Sequence, residues 1–323
     1  MGGEEGASVP WGGFVRVWLI VALLALAAGA AVSVTVDPYW VFRDRPPWLA
    51  WTAGANRHLD LEMRRVKPLQ LFGRPAETVL IGSSVVYRGL DPADVAGQGY
   101  NFGLSSLMAD ELPAVAELAA ARGARHVALG LDYFMFTSMP GPPRIGDGLA
   151  SSLRRVEAYL QAALSLRALA GSRPSVIRDV TEGGFWRADG FKTTPDYAPD
   201  ALRRIVAGQE ADALAYRPET LRHLAAALEA LKNHDVRLYL SPVSSAQLAI
   251  LATAGRSAEW DAWRADVTAL AARAGVRLHD LARTHPYAVF DPSGGSSTSW
   301  FDPLHFKPPV GSWVLRQIGL ARA

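Results

Sequence analysis

Cysteine is missing altogether from the 323 residues. Disulfides, thiolate metal sites and a cysteine nucleophile are thereby excluded, so covalent catalysis would have to rest on another side chain. The compartment stays open, because an oxidising space permits disulfides without demanding them. An excess of one charge is missing too: 33 basic residues face 31 acidic ones, with no block of either sign. That balance leaves no electrostatic footprint for nucleic acid. No HxH or HExxH spacing occurs, so no metal site is expected.

What the chain has is apolar mass. Half of its residues are hydrophobic, ample for a large buried core. From Val17 to Val36 no residue carries a charge; at 1.5 Å per residue this run is about 30 Å long, the thickness of a bilayer's hydrocarbon. Trp11 and Trp18 lie at one end, and Tyr39, Trp40, Trp48 and Trp51 follow the other, where amphipathic rings favour the interface. A core helix would show a polar face, and this run has none. Ala28-Gly29-Ala30 is small enough to resemble a cleavage site, but the run exceeds the 7–15 residues of a signal-peptide core, so an uncleaved anchor is favoured. Arg16 on one side and Arg43, Arg45 and Arg57 on the other do not fix its orientation.

The expected organisation is a tail (1–13), an anchor (14–36), a connector rich in Pro, Trp and Arg (37–75) with a helix around 54–66, and one domain (76–323). In that domain short apolar runs alternate with helical patterns: strands at 77–84, 100–102, 126–134, 236–241 and 276–280, and helices at 109–122, 153–169, 218–233, 258–274 and 307–318. Strands apolar on both faces and separated by helices imply a three-layer α/β/α domain with a mostly parallel central sheet. The stretch 135–215 is less regular.

Two segments carry candidate chemistry. Ser84 closes the first apolar strand in Ile81-Gly82-Ser83-Ser84, and the carboxyl ends of strands are where an open parallel sheet builds its sites. A strand-to-helix turn with Ser83 or Ser84 as N-cap reads the same way. About 220 residues further on, Asp302 and His305 stand three apart in WFDPLHF. A serine nucleophile needs a base within hydrogen-bond reach, and the base needs an orienting carboxylate; a capping Asp beside a surface His is the plainer reading. Tyr100-Asn101-Phe102-Gly103 ends a second strand, and its Gly103 N–H is a candidate oxyanion donor or simply part of a turn. Asp132 ends the third strand, either as a site residue or as a partner of a neighbouring loop.

Together these blocks resemble the SGNH (GDSL-like) hydrolase superfamily. The resemblance spans residues 77–306: Gly82-Ser83-Ser84 for the nucleophile block, Asn101-Phe102-Gly103 for the second, and Asp302-Pro303-Leu304-His305 for the last. It implies Ser84, His305 and Asp302 as catalytic residues, no cofactor, and oxyanion or substrate contacts from Gly103, Asn101, Asp132 and Ser83. Ser83, where the family has Asp, is a variant similar to that of membrane-anchored relatives handling envelope polymers, among them alginate O-acetylation and teichoic-acid D-alanylation proteins. Asp132 stands where the family's third block has Asn, and an ionised Asp repels an oxyanion. The resemblance further implies an inner-membrane, single-pass protein with its domain in the periplasm. Its partners would be an acylated envelope polysaccharide and a multi-spanning membrane acyltransferase. The expected function is esterase or O-acyltransferase, with a non-catalytic polysaccharide-binding or scaffold subunit as the alternative.

Overall fold

The computed structural model describes residues 11–43, 59–138, 145, 152–176, 184–211 and 214–322. Thr78-Val79-Leu80-Ile81 is β-branched and aliphatic, too short for a helix, and forms strand β1 (Thr78–Ile81), buried throughout. Four parallel partners join it: β2 (Gly99–Asn101), β3 (His126–Leu131), β6 (Asp235–Leu240) and β7 (Leu278–Asp280), in the order β2-β1-β3-β6-β7. A two-stranded antiparallel pair, β4 (Phe185–Trp186) and β5 (Lys192–Thr193), lies apart from this sheet.

Strand side chains alternate between two faces, and so does the core. Val79, Ile81, Val127, Leu129 and Leu238 pack under α2 (Leu59–Gly73), α4 (Leu112–Arg122), α8 (Leu221–Ala230) and α10 (Ser257–Arg273). Leu80, Ala128 and Tyr239 point the other way, towards α3 (Ser84–Gly89) and α11 (Pro308–Gln317), with Leu202 of α7 (Pro199–Ala211). The result is a parallel sheet between helical layers. Because β2 returns on one side of β1 and β3 on the other, the connections diverge at the β1/β3 boundary. In sheets of this order the crevice forms there, beyond the strands' carboxyl ends.

The stretch 37–75 packs, in its described parts, against the domain. Its helix runs Leu59–Gly73, through Pro68, rather than 54–66, and puts Leu59, Met63, Val66 and Leu69 into the main core. Residues 44–58, with Trp48 and Trp51, lie outside the described residues. The helix expected at 153–169 is two, α5 (Ser152–Leu164) and α6 (Leu166–Val176), with the break at Ser165. α9 (Ser245–Thr253) completes the set before α10.

At the N-terminus α1 (Trp11–Val36) is one helix, long and apolar enough to cross a membrane. Its last turns are docked, not tethered. Asp37 accepts the N–H groups of Val41, Phe42 and Arg43 at 2.7, 2.9 and 3.0 Å, folding the chain back on itself. Gln70 Nε2 then donates to Tyr39 O and Arg74 Nη2 to Trp40 O, each at 2.5 Å. These bonds tie the end of α1 to the helix that carries the core.

Candidate active site

The site is built where β1, β3 and the loop before α11 meet. After Ile81 the chain turns at Gly82, where a Cβ would stand 2.4 Å from Val86 Cγ2 and 3.1 Å from Gly130 O. Only glycine lets the turn sit this close to β3. Ser83 is the N-cap of α3: its Oγ accepts from Val85 N at 3.1 Å. Ser84 is therefore the first residue of the helix, where no earlier turn exists to take its N–H.

The Asp302–His305 turn supplies the partners. Asp302 Oδ1 accepts the N–H groups of Leu304 (2.9 Å) and His305 (3.0 Å), and its Oδ2 takes His305 Nδ1 at 2.7 Å. A spacing of three thus lets one carboxylate fix both the backbone and the ring. Burial alone would raise the Asp302 pKa, but the imidazole, these bonds and Arg88 outweigh it and hold the group below the ordinary carboxylate value. A carboxylate only accepts, so Nδ1 carries the proton and Nε2 is left as acceptor. His305 Nε2 lies 2.8 Å from Ser84 Oγ. Residues 221 apart in sequence are in hydrogen-bond contact.

Packing holds this loop in place. Trp300 and Phe306 bridge across it and meet edge to face. Ser244 Oγ donates to Pro303 O at 2.6 Å. The Phe306 ring presses on Gly89 so closely that a Cβ there would fall 2.1 Å from it, and a Cβ on Gly311 would meet Gly89 O at 1.8 Å. α3, which carries the serine, and α11, which follows the histidine, cross at two glycines.

Ser84 and His305 open into a cavity of about 220 Å³, walled largely by apolar groups such as Leu131, Phe134, Leu214, Val243, Leu251 and Trp263. Asp132 also lines it. Its carboxyl accepts from Ser83 Oγ at 2.5 Å, and burial pushes its pKa above the usual value against the pull of the serines and of His305. No protein-family profile, curated protein or solved structure matches the chain. Any functional reading must come from this geometry and the sequence.

Three expected site residues play other parts. Asn101 is fully buried; its Nδ2 donates to Val86 O (2.9 Å) and Leu90 O (2.8 Å), and its Oδ1 accepts Gly103 N (2.9 Å). It caps the C-terminal end of α3, the helix that begins with Ser84, and spends its side chain on the backbone. Gly103 is not a free donor, since its N–H is given to Asn101. It must still be glycine: a Cβ would sit 2.8 Å from Tyr87 N and 2.9 Å from Ser83 O. Ser83 is also fully buried, with its hydroxyl shared between Val85 N and Asp132.

Lys67 is the residue the sequence reading missed. Fully buried, its ammonium donates to Asn101 O (3.0 Å), Gly103 O (2.7 Å) and Gly190 O (3.0 Å), and lies over the rings of Trp186 and Tyr87. Three donors meet three carbonyls. Burial pulls its pKa well down, opposed by Asp189 and Asp60. The signal was available, because Leu59, Met63, Val66, Lys67 and Gln70 fall on one helical face, so the lysine shares the apolar side. His126 pairs with Asp235 at 2.7 Å, and His285 Nε2 sits 2.9 Å from Val243 O. Among the described residues no three His, Asp or Glu side chains gather to hold a metal ion.

Proposed function

We propose that the chain is a membrane-anchored serine esterase or O-acyltransferase of the SGNH hydrolase type, acting on ester-linked acyl groups, acetyl foremost, of an envelope or exported polysaccharide. The observation that carries the proposal is the run Ser84 Oγ–His305 Nε2–Asp302 Oδ2, at 2.8 and 2.7 Å, opening into a cavity at the strand ends. His305 Nε2 takes the hydroxyl proton as Ser84 Oγ bonds to the ester carbonyl carbon. Asp302 stabilises the imidazolium that forms. The Ser84 N–H meets the oxyanion. Collapse expels the alcohol, protonated by His305, and leaves the acyl group on Ser84. Water or a sugar hydroxyl, deprotonated by His305, then attacks the acyl carbon and restores the serine. α1 would hold the domain at the inner membrane on its periplasmic side, within reach of a multi-spanning acyltransferase.

A test is hydrolysis of p-nitrophenyl acetate by the purified chain and by Ser84→Ala, with a fluorophosphonate as covalent probe. The expected result is turnover and a labelled Ser84 in the parent, and neither in the variant. Equal turnover by both would remove Ser84 from the mechanism. A C-terminal alkaline-phosphatase fusion should be active; an inactive fusion would place the domain in the cytoplasm.

One observation favours the non-catalytic reading. With Gly103 N–H bound to Asn101 and a carboxyl at 132, two of the expected oxyanion donors are missing, where removal of one donor elsewhere costs about 10²–10³ in rate. A chain that fails both assays yet retains acylated polysaccharide on a column would be a scaffold subunit.

A further inference from the structure

α5 is folded inside out for a helix in water. Its buried positions are the small Ala158 and Ala162, while Val156, Leu160 and Leu164, spaced four apart, are 58%, 58% and 51% exposed. α6 repeats the pattern: Ala168 and Ser172 are inside, and Leu166 is 82% exposed. Val156, Leu160 and Leu164 share one face of α5, and Leu166 and Leu169 on the next helix are exposed as well, more than the isolated exposed leucines that need no explanation. An open groove of about 630 Å³ runs beside it, lined by Val156, Leu160, Leu164 and Arg65.

What lies next to this surface is α1. Both α5 and α6 pack against it, and only its last part is covered: from Trp11 to Ala28 its side chains are almost all exposed, and burial begins around Gly29. The uncovered stretch is about 27 Å long at 1.5 Å per residue, close to the ~30 Å of hydrocarbon in a bilayer. The folded domain therefore starts where such a membrane would end. The bonds from Asp37, Gln70 and Arg74 fix the turn that follows α1, and α5 and α6 pack against α1 itself, so their height is set with it. Around the stripe Arg65, Arg154, Arg155 and Arg167 stand with Glu62 and Glu157, which pair with three of them, leaving a net positive sign that suits anionic headgroups.

We infer that α5 and α6 lie in the membrane interface beside the anchor, with Val156, Leu160, Leu164, Leu166 and Leu169 in the acyl boundary, so that the bilayer fixes the domain's orientation. This rests on α1 spanning a bilayer. The occupant of the stripe is lipid.

The natural absence of cysteine makes the test clean. Single variants Leu23→Cys (α1), Leu160→Cys (α5) and Arg273→Cys (end of α10, beside β7 at the opposite edge of the sheet) carry a bimane label. The full chain is reconstituted in protein-free vesicles of phosphatidylcholine and phosphatidylglycerol with lipids brominated at shallow or deep positions. Deep bromines should quench position 23. Shallow bromines should cut the signal at 160 by about half or more, for a side chain sunk ~5–10 Å into the interface. Position 273 should be unaffected. Quenching at 23 with 160 as dark to bromine as 273 overturns the inference and leaves the anchor standing, pointing to a protein partner on the stripe. No quenching at 23 removes the anchor itself, and the seat with it. Equal quenching at 160 and 273 shows unspecific adsorption and also overturns it.

Discussion

α8 and α5 are both strongly amphipathic and of similar length, yet they face opposite ways. α8 buries Leu224 and Leu228 against the sheet and shows Ala225 and Ala226 to solvent. α5 buries Ala158 and Ala162 and shows Val156, Leu160 and Leu164. An amphipathic pattern states that a helix has two environments; it does not state which one is the protein. Full burial of such a side chain is worth roughly 1.5–3 kcal/mol. Five left 39–82% exposed each forgo part of that, roughly several kcal/mol together, against a domain's whole stability of about 5–15 kcal/mol. Outside α1 and these helices, among the described residues, exposed large apolar side chains such as Phe185 and Val289 stand singly, whereas along α5 they recur every four residues, the pattern of a helix that meets a second solvent. On the proposals made above, the sheet half would do its chemistry in water and the α1–α5–α6 half would face lipid.

The largest expected effect separates the halves by function. Ser84→Ala should lower esterase turnover by about 10³-fold or more, while sedimentation with vesicles stays as in the parent. Activity that survives the change would mean that the site described is not the site used.

Next comes the crossing of α3 and α11. Gly311→Ala puts a Cβ 1.8 Å from Gly89 O, and backbone cannot rotate away as a side-chain end can. Overpacking of this kind costs about 1–3 kcal/mol, or roughly 2–10 °C in Tm for a domain of this size. It should also raise the Ser84–His305 separation and lower kcat more than the stability loss explains. Gly12→Ala in α1, where nothing lies within 4 Å of an added Cβ, should leave both Tm and kcat unchanged.

How much of this was legible follows the same division. Local, directional signals read well: TVLIGSS gave a buried strand and its turn, and Asp302-Pro303-Leu304-His305 gave a carboxylate and an imidazole held by one turn. Groups whose partner is chosen by tertiary packing did not. The Gly103 N–H looked free because nothing in a sequence says that the Asn101 side chain will turn back to claim it. Lys67 drew no notice, because the carbonyls it holds come from two segments distant in the chain, at 101–103 and at Gly190. The stretch 37–75, rich in Pro, Trp and Arg, read as a connector, yet Arg74 and Gln70 bind backbone carbonyls at the foot of α1.

Leu160→Glu with Leu164→Glu tests the lipid half directly. The positions are already exposed, so the fold should tolerate the charges, with Tm within about 2 °C of the parent in detergent and turnover of a soluble ester within twofold. Shallow-bromine quenching of a label at position 156 should be lost. A collapse of Tm in detergent would instead show that the stripe packs inside the protein.

The smallest effect sets two carboxyls of one site against each other. Asp302 is held below its ordinary pKa, so it contributes stability above the unfolded value near 3.8 that is lost as pH falls through the lower folded value. Asp132 is raised by burial, so the folded state binds its proton more tightly than the unfolded one. Its penalty is absent below about pH 3.8 and grows as pH rises through the folded value. Asp132→Asn keeps an acceptor for Ser83 Oγ and carries no charge. The variant should therefore melt higher than the parent at pH 7, by a margin that shrinks as the pH is lowered towards 4, while Asp302→Asn should melt lower at pH 7. An amide at 132 also offers the oxyanion an N–H that a carboxylate lacks, so kcat should rise, by up to about tenfold if the second donor is the missing part. A higher Tm with unchanged kcat would mean that residue 132 shapes the stability of the cavity floor and takes no part in the chemistry above it.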